Sequence, residues 1–274
     1  MGNKPLQKGS RAKGPQKGSF NPHYDDRNKK HGVLSDFRAQ QLGPLIILRF
    51  HSPKAQHQAL ARLEAFYESK DAVGTYISLA NPQTRRLCPN YKAFNLPTSA
   101  IYDWLVAMRT AELGASQSIA GKFEAAFQGW WGPFVNTEES RLLAHLAQAG
   151  CFGRLSARGE VPSYLISVSE QSAILHEALH ALYFLHSDYR DRAQEVWDRL
   201  SKRCQLTIQQ GMVLRGYGSH VWVDEFQAYV SENVGEFGNK TKEECTEVKK
   251  LLLSAQEVAW KELGMNISAI HQGP

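Results

Sequence analysis

The sequence predicts an α+β chain, mostly helical, in which a small sheet packs on one central helix. Three observations carry that expectation. Ser169–His186 (SEQSAILHEALHALYFLH) holds no Gly or Pro and is rich in Ala and Leu, which is the composition of a helix. Two short apolar runs, Pro44–Phe50 and Val161–Val168, have the length and content of buried strands. The part after Ser169 is otherwise dominated by amphipathic stretches at helical spacing.

Taken in order, residues 1–33 are rich in Gly, Lys, Pro, Gln and Asn, and the run Gln7–Ser10 recurs at Gln16–Ser19. With so few apolar residues this segment is expected to be a disordered basic tail, leaving 34–274 as one domain. Pro44–Phe50 reads as a strand, and Ser52-Pro53 as the cap and first turn of a helix running to about Lys70. That helix carries Leu60, Leu63, Phe66 and Tyr67 on one face. Gly74–Leu79 is a second strand candidate, and the proline-rich residues 81–97 read as a loop. Thr98 or Ser99 is expected to cap a helix through about Thr110 with Ile101, Trp104, Leu105 and Met108 inward. Gly129–Pro133 stops a helical stretch, and its Trp130-Trp131 pair reads as packing.

Thr137 opens a helix to about Ala149, and Val161–Val168 is a strand leading into Ser169–His186, with Ser169 as N-cap. Asp188 is read as the cap of the next helix. Thr207–Leu214 is ambiguous between helix and strand. Ser219–Val234 is helical and ends at Gly235. Thr241 with Glu244 reads as a capping box opening the last helix, where Val248, Leu251, Leu252, Ala255, Val258 and Ala259 form a stripe read as core.

Composition excludes several classes. The 274 residues, 42% hydrophobic and with six Trp, suffice for one sizeable core. No run approaches the roughly 18 apolar residues of a membrane span. The N-terminus lacks an apolar secretory core, and Leu6 stands where myristoylation expects Ser or Thr. Cys88, Cys151, Cys204 and Cys245 are widely spaced with no C-x-x-C, so they read as reduced thiols in a cytoplasmic or nuclear protein. The sequons at Asn239 and Asn266 are read as incidental. The net charge is +5, but residues 1–30 carry eight Lys or Arg against Asp25 and Asp26, so the rest is about −1. A solvated tail is the default reading of the basic segment, and a weak polyanion contact its functional alternative.

The chemistry lies in His176-Glu177-Ala178-Leu179-His180, the H-E-x-x-H pattern. Residues four apart on a helix share a face, about 6 Å apart, so two imidazoles can meet one ion. Glu177 sits roughly 100° from His176. That places it beside the pair, where a carboxylate accepts a proton from an activated water without being a ligand. The bland alternative is a buried helix with incidental histidines, but three ionisable groups on an apolar helix are costly to bury without partners.

A catalytic zinc takes a third protein ligand. His186 lies ten residues after His176, as in the metzincin pattern H-E-x-x-H-x-x-G-x-x-H, but Tyr183 stands where that pattern has Gly. In a continuous helix His186 is carried away from the ion. The other candidate is Glu225, in Trp222–Tyr229 (WVDEFQAY). A strand, an H-E-x-x-H helix and a downstream helix carrying a Glu resemble the gluzincin branch of the zincin metallopeptidases. The resemblance covers about residues 161–234. It implies a zincin-like fold, Zn²⁺ held by His176, His180 and Glu225, and Glu177 as general base. Asp224 would orient a ligand histidine. Tyr229, one turn from Glu225, would polarise a substrate carbonyl, with Tyr217 and His220 as rivals.

The resulting expectation is a zinc metallopeptidase acting on a peptide amide bond. The alternatives are a hydrolase of a small amide or metabolite, and a non-catalytic binding protein working through its basic tail.

Overall fold

The sheet sets the position of everything else. In the computed structural model, which describes residues 36–69, 72–89, 91–114, 131–152 and 162–272, four strands line up as β1 (Phe37–Leu42), β2 (Leu45–Phe50), β4 (Tyr164–Val168) and β3 (Ala93–Pro97). The basic segment 1–33, the stretch Gly129-Trp130 and Val161 lie outside the described residues. β1 and β2 form a hairpin closed by Gly43-Pro44, with Gly43 at φ +52°. That left-handed conformation costs glycine little. β2 and β4 run parallel, while β3 pairs antiparallel with β4 at the edge.

Alternation along the strands feeds two cores. Leu45, Ile47, Tyr164, Ile166 and Val168 face one, and Ile46, Leu48, Phe50, Leu165, Phe94 and Leu96 face the other. The second core is closed by α1 (Pro53–Glu68), α2 (Thr98–Leu113) and α3 (Thr137–Gln148) through Leu60, Leu63, Trp104, Met108, Leu142 and Leu146. The first is closed by α4 (Ile174–Leu185), α5 (Ser187–Asp198), α6 (Lys202–Leu214), α7 (Trp222–Glu232), α8 (Lys242–Glu262) and α9 (Ile267–Gln272). Nine helices among the described residues against four short strands make the chain α+β and mostly helical. The described residues, all of them from Asp36 onward, cluster as one unit. No helix among the described residues is long and apolar enough to cross a membrane.

Local chemistry starts and stops these helices. Ser52 accepts from the Ala55 amide at 3.2 Å with Pro53 in the first turn, as expected. Asn136 and Glu139 form a reciprocal capping box ahead of Thr137. The residue lettering of α4 buries Ile174, Ala178, Leu179, Ala181 and Leu182 completely. Each Ile or Leu so buried contributes about 2 kcal/mol.

Several expectations are corrected. β1 and β3 are strands the sequence did not suggest, β3 falling inside the stretch read as loop. Gly74–Leu79 is not a strand: Gly74 turns at φ +68°, the Ile77 carbonyl accepts from Arg62 at 3.1 Å, and β3 occupies the edge of β4. Thr98 does not cap α2, because its hydroxyl donates to the Pro162 carbonyl at 3.0 Å. Ser169 does not cap α4, since a 3-10 turn over Gln171–Ala173 intervenes.

Asp188 lies in the first turn of α5, whose cap is His186: its Nδ1 accepts from the Tyr189 amide at 3.2 Å. The Thr241–Glu244 capping box does not form, because Glu244 reaches away to the amide and hydroxyl of Ser201 at 2.8 and 2.7 Å. α8 is not the last helix, as α9 follows it. Thr207–Leu214 is resolved as helix within α6. Of the α8 stripe, Val248, Leu252 and Ala259 are core, while Val258 is exposed. Trp131 packs in the second core, as read.

Candidate metal centre

α4 runs under the sheet against β3 and β4, and α7 lies alongside it. The apolar face of α7, with Phe226 and Val230 fully buried in the metal-side core, sets its roll, and Glu225 approaches both histidines of α4. His176 and His180 stand one turn apart with ring centroids 4.8 Å apart. Nε2 of His176 lies 3.7 Å from one Glu225 oxygen, and Nε2 of His180 lies 3.8 Å from the other. One ligand atom from each of the three residues falls within 4.8 Å of the others, the only such group of metal-binding side chains among the described residues.

The donor set fits a divalent cation. Separations of 3.7 and 3.8 Å exceed hydrogen-bond range, so the three groups do not satisfy one another. Ligands at 2.0–2.1 Å from a tetrahedral ion are about 3.3 Å apart, so small shifts would close them on it. Glu225 Oε2 is buried without a hydrogen-bond partner. An orphaned carboxylate oxygen is costly unless a cation answers it.

Both imidazoles are held from behind. Nδ1 of His180 donates to Asp224 Oδ1 at 2.9 Å, and Nδ1 of His176 to Glu232 Oε2 at 3.2 Å. A carboxylate only accepts, so each Nδ1 carries the proton and each Nε2 can present its lone pair to an ion. Asp224 is in turn fixed by Gln227 Nε2 at 3.0 Å, and Gln227 is anchored to the Leu179 carbonyl and the Tyr189 hydroxyl.

Without a cation the carboxylates hold protons on the histidines. Burial opposes charge on His176, but Glu225 and Glu232 outweigh it and push its pKa up to about 9. Burial likewise opposes charge on His180, which Asp224 and Glu225 overcome, so its pKa also lies well above the ordinary value. Burial raises the pKa of Glu177, against the pull of the two histidines. Glu177 stands beside the trio, and its Oε2 accepts from Asn95 Nδ2 at 2.8 Å.

The structure thus brings together His176, His180 and Glu225, with Asp224 bonded to His180 and Glu177 within electrostatic reach of all three. It takes His186 elsewhere. α4 continues through Tyr183 to Leu185, and His186 Nε2 donates to Glu262 at 2.7 Å. Tyr229 packs its ring on His176, centroids 4.7 Å apart, with its hydroxyl 3.2 Å from that of Tyr217. His220 is exposed on the turn before α7, outside the trio.

Four further residues escaped the sequence reading. Glu232 follows Glu225 by seven, two turns along one face, and that spacing was a usable signal. Asn95 was hidden in a stretch read as loop. Glu64 and Glu68, one turn apart on α1, are buried or half-buried carboxylates electrostatically coupled to Glu225. Their i, i+4 spacing was visible beneath the apolar stripe. Comparison with family models, with curated proteins and with solved structures finds no match to this chain.

Proposed function

We propose that this chain is a zinc-dependent hydrolase, most simply a metallopeptidase of the zincin type with a gluzincin-like ligand set. The observation that supports this reading is the convergence of His176, His180 and Glu225 on one point, with Glu225 Oε2 lacking any other partner. Two imidazoles and one carboxylate suit zinc among the divalent metals. When bound, such an ion acidifies water and polarises a carbonyl.

The chain's own groups supply the rest. Glu177 Oε1 takes the proton of the attacking water, and Glu177 returns it to the departing amine. Asp224 and Glu232 keep the protons on Nδ1 of the two histidines, so Nε2 remains basic. Tyr229, in contact with His176, offers a hydroxyl to the developing oxyanion.

The test compares wild type with Glu177→Gln for zinc content and for cleavage of a mixed peptide library followed by mass spectrometry. Wild type is expected to hold about one zinc per chain and to cleave. Glu177→Gln should keep the zinc and lose at least about 100-fold in rate. Zinc-loaded wild type that cleaves no peptide would remove the peptidase reading.

A further inference from the structure

The edge strand carries a polar residue on the face turned to α4. Asn95 pairs with Ile166 in the β3–β4 register, and Ile166 faces the metal-side core. Its neighbours Phe94 and Leu96 point into the other core. Both ends of the Asn95 amide are engaged. Nδ2 donates to Glu177 Oε2 at 2.8 Å, and Oδ1 accepts from the Tyr164 hydroxyl at 2.6 Å. The Tyr164 ring is buried in β4 and stacks at 4.8 Å on Phe184 of α4. The Glu177 carboxylate fixes which way the amide faces, since it only accepts, and the Tyr164 hydroxyl, able to donate or accept, then donates to Oδ1 and braces the amide from the sheet side.

We infer that Asn95, braced by Tyr164, is a positioning residue that holds Glu177 as an acceptor beside the metal centre. This rests on the metal reading above. The amide occupies one carboxylate oxygen and leaves Oε1 as the acceptor for a proton arriving from the cation side. It also fixes the side chain against rotation, because the strut is anchored in the sheet while Glu177 rides on the helix. The bond favours the charged carboxylate, so its loss by itself makes Glu177 more basic, and a loss of function in Asn95→Ala therefore reports lost position rather than lost basicity.

The probe is acetohydroxamic acid, which chelates the metal as an anion after passing its hydroxyl proton to a neighbouring carboxylate. Full-length protein loaded with Co²⁺ would be titrated with the acid and followed by visible absorption, after the Co²⁺ affinity of each variant is measured. Asn95→Ala should weaken acetohydroxamate about tenfold while changing Co²⁺ affinity less than about twofold. In a Glu177→Gln background the same substitution should cost nothing further, because Asn95 acts through Glu177. Tyr164→Phe, which deletes one hydroxyl, should show the same pattern at about threefold. It decides the matter if Asn95→Ala fails to fold.

Equal losses in both backgrounds, or no loss in the first, would overturn the positioning role while leaving the metal site intact. Failure of wild type to bind Co²⁺ would overturn the metal reading and the inference together, before any acetohydroxamate is added.

Discussion

Two buried polar clusters lie on opposite sides of the sheet, and only one is complete. On the side of α1–α3, the Arg62 guanidinium donates to both Glu139 oxygens at 2.8 and 3.0 Å, and to the Ile77 and Phe134 carbonyls at 3.1 and 3.0 Å. Trp104 and Tyr76 cover its faces. On the side of α4–α9, His176, His180 and Glu225 approach without bonding, and Glu225 Oε2 has no partner. Both clusters carry the cost of burying charge. The first offsets it internally and is architecture. The second leaves Glu225 Oε2 unanswered, and its three side chains are spaced as ligands of one ion could be.

Removing one partner of the closed cluster should have the largest effect on stability. Glu139→Ala should strand the Arg62 charge, lower stability by about 3–5 kcal/mol in urea melts, and leave zinc stoichiometry unchanged. A loss of zinc in that variant would mean the clusters are not independent.

The open cluster should respond to added zinc instead. Zinc at about 1,000 times its dissociation constant should stabilise wild type by about 4 kcal/mol. It should do nothing comparable for His180→Ala, as read by thermal shift with and without metal. That gain should grow from pH 6.5 to 9. His176 in the metal-free fold is protonated up to about 9, so the stability its proton brings is complete below the unfolded value of 6.5 and lost as pH rises through 9. Zinc replaces that proton and competes better as it leaves.

A smaller effect sharpens the electrostatics of the open cluster. Burial foremost, with Glu225, raises Glu68 to about 7 from the usual 4.5. The folded state then binds a proton that the unfolded chain has released. The metal-free protein should lose up to about 3 kcal/mol as pH climbs from 4.5 to 7. Glu68→Gln should flatten that slope in pH-dependent melts, and an unchanged slope would place the titration elsewhere. The smallest effect belongs to the α1 cap, where Ser52→Ala should cost about 1 kcal/mol and leave both clusters intact.

Much of this was legible in the chain. H-E-x-x-H on a Gly- and Pro-free run located α4, and the apolar residues Phe226, Ala228, Tyr229 and Val230 around Glu225 located its partner helix. The brace of Gln227 on Asp224, three residues apart, went unread although it is local. What could not be read were contacts across the fold. Asn95 meets Glu177 only because β3 pairs antiparallel with β4, and a five-residue edge strand between prolines carries too little periodicity to announce itself. Caps failed for the same reason: Thr98 and Glu244 had better partners in distant segments than in their own helices. His186 was readable, because nothing between Leu182 and Leu185 could turn the chain back.

The claim that α4 and α7 together form a cation site is tested most directly by competitive chelator titration of zinc from wild type, Glu225→Ala and His186→Ala at one pH and ionic strength. Wild type should hold about one zinc per chain. Glu225→Ala should lose several kcal/mol of affinity, comparable to losing a histidine ligand. His186→Ala, whose ring faces Glu262, should bind as wild type does. Zinc lost from His186→Ala and retained by Glu225→Ala would contradict that claim.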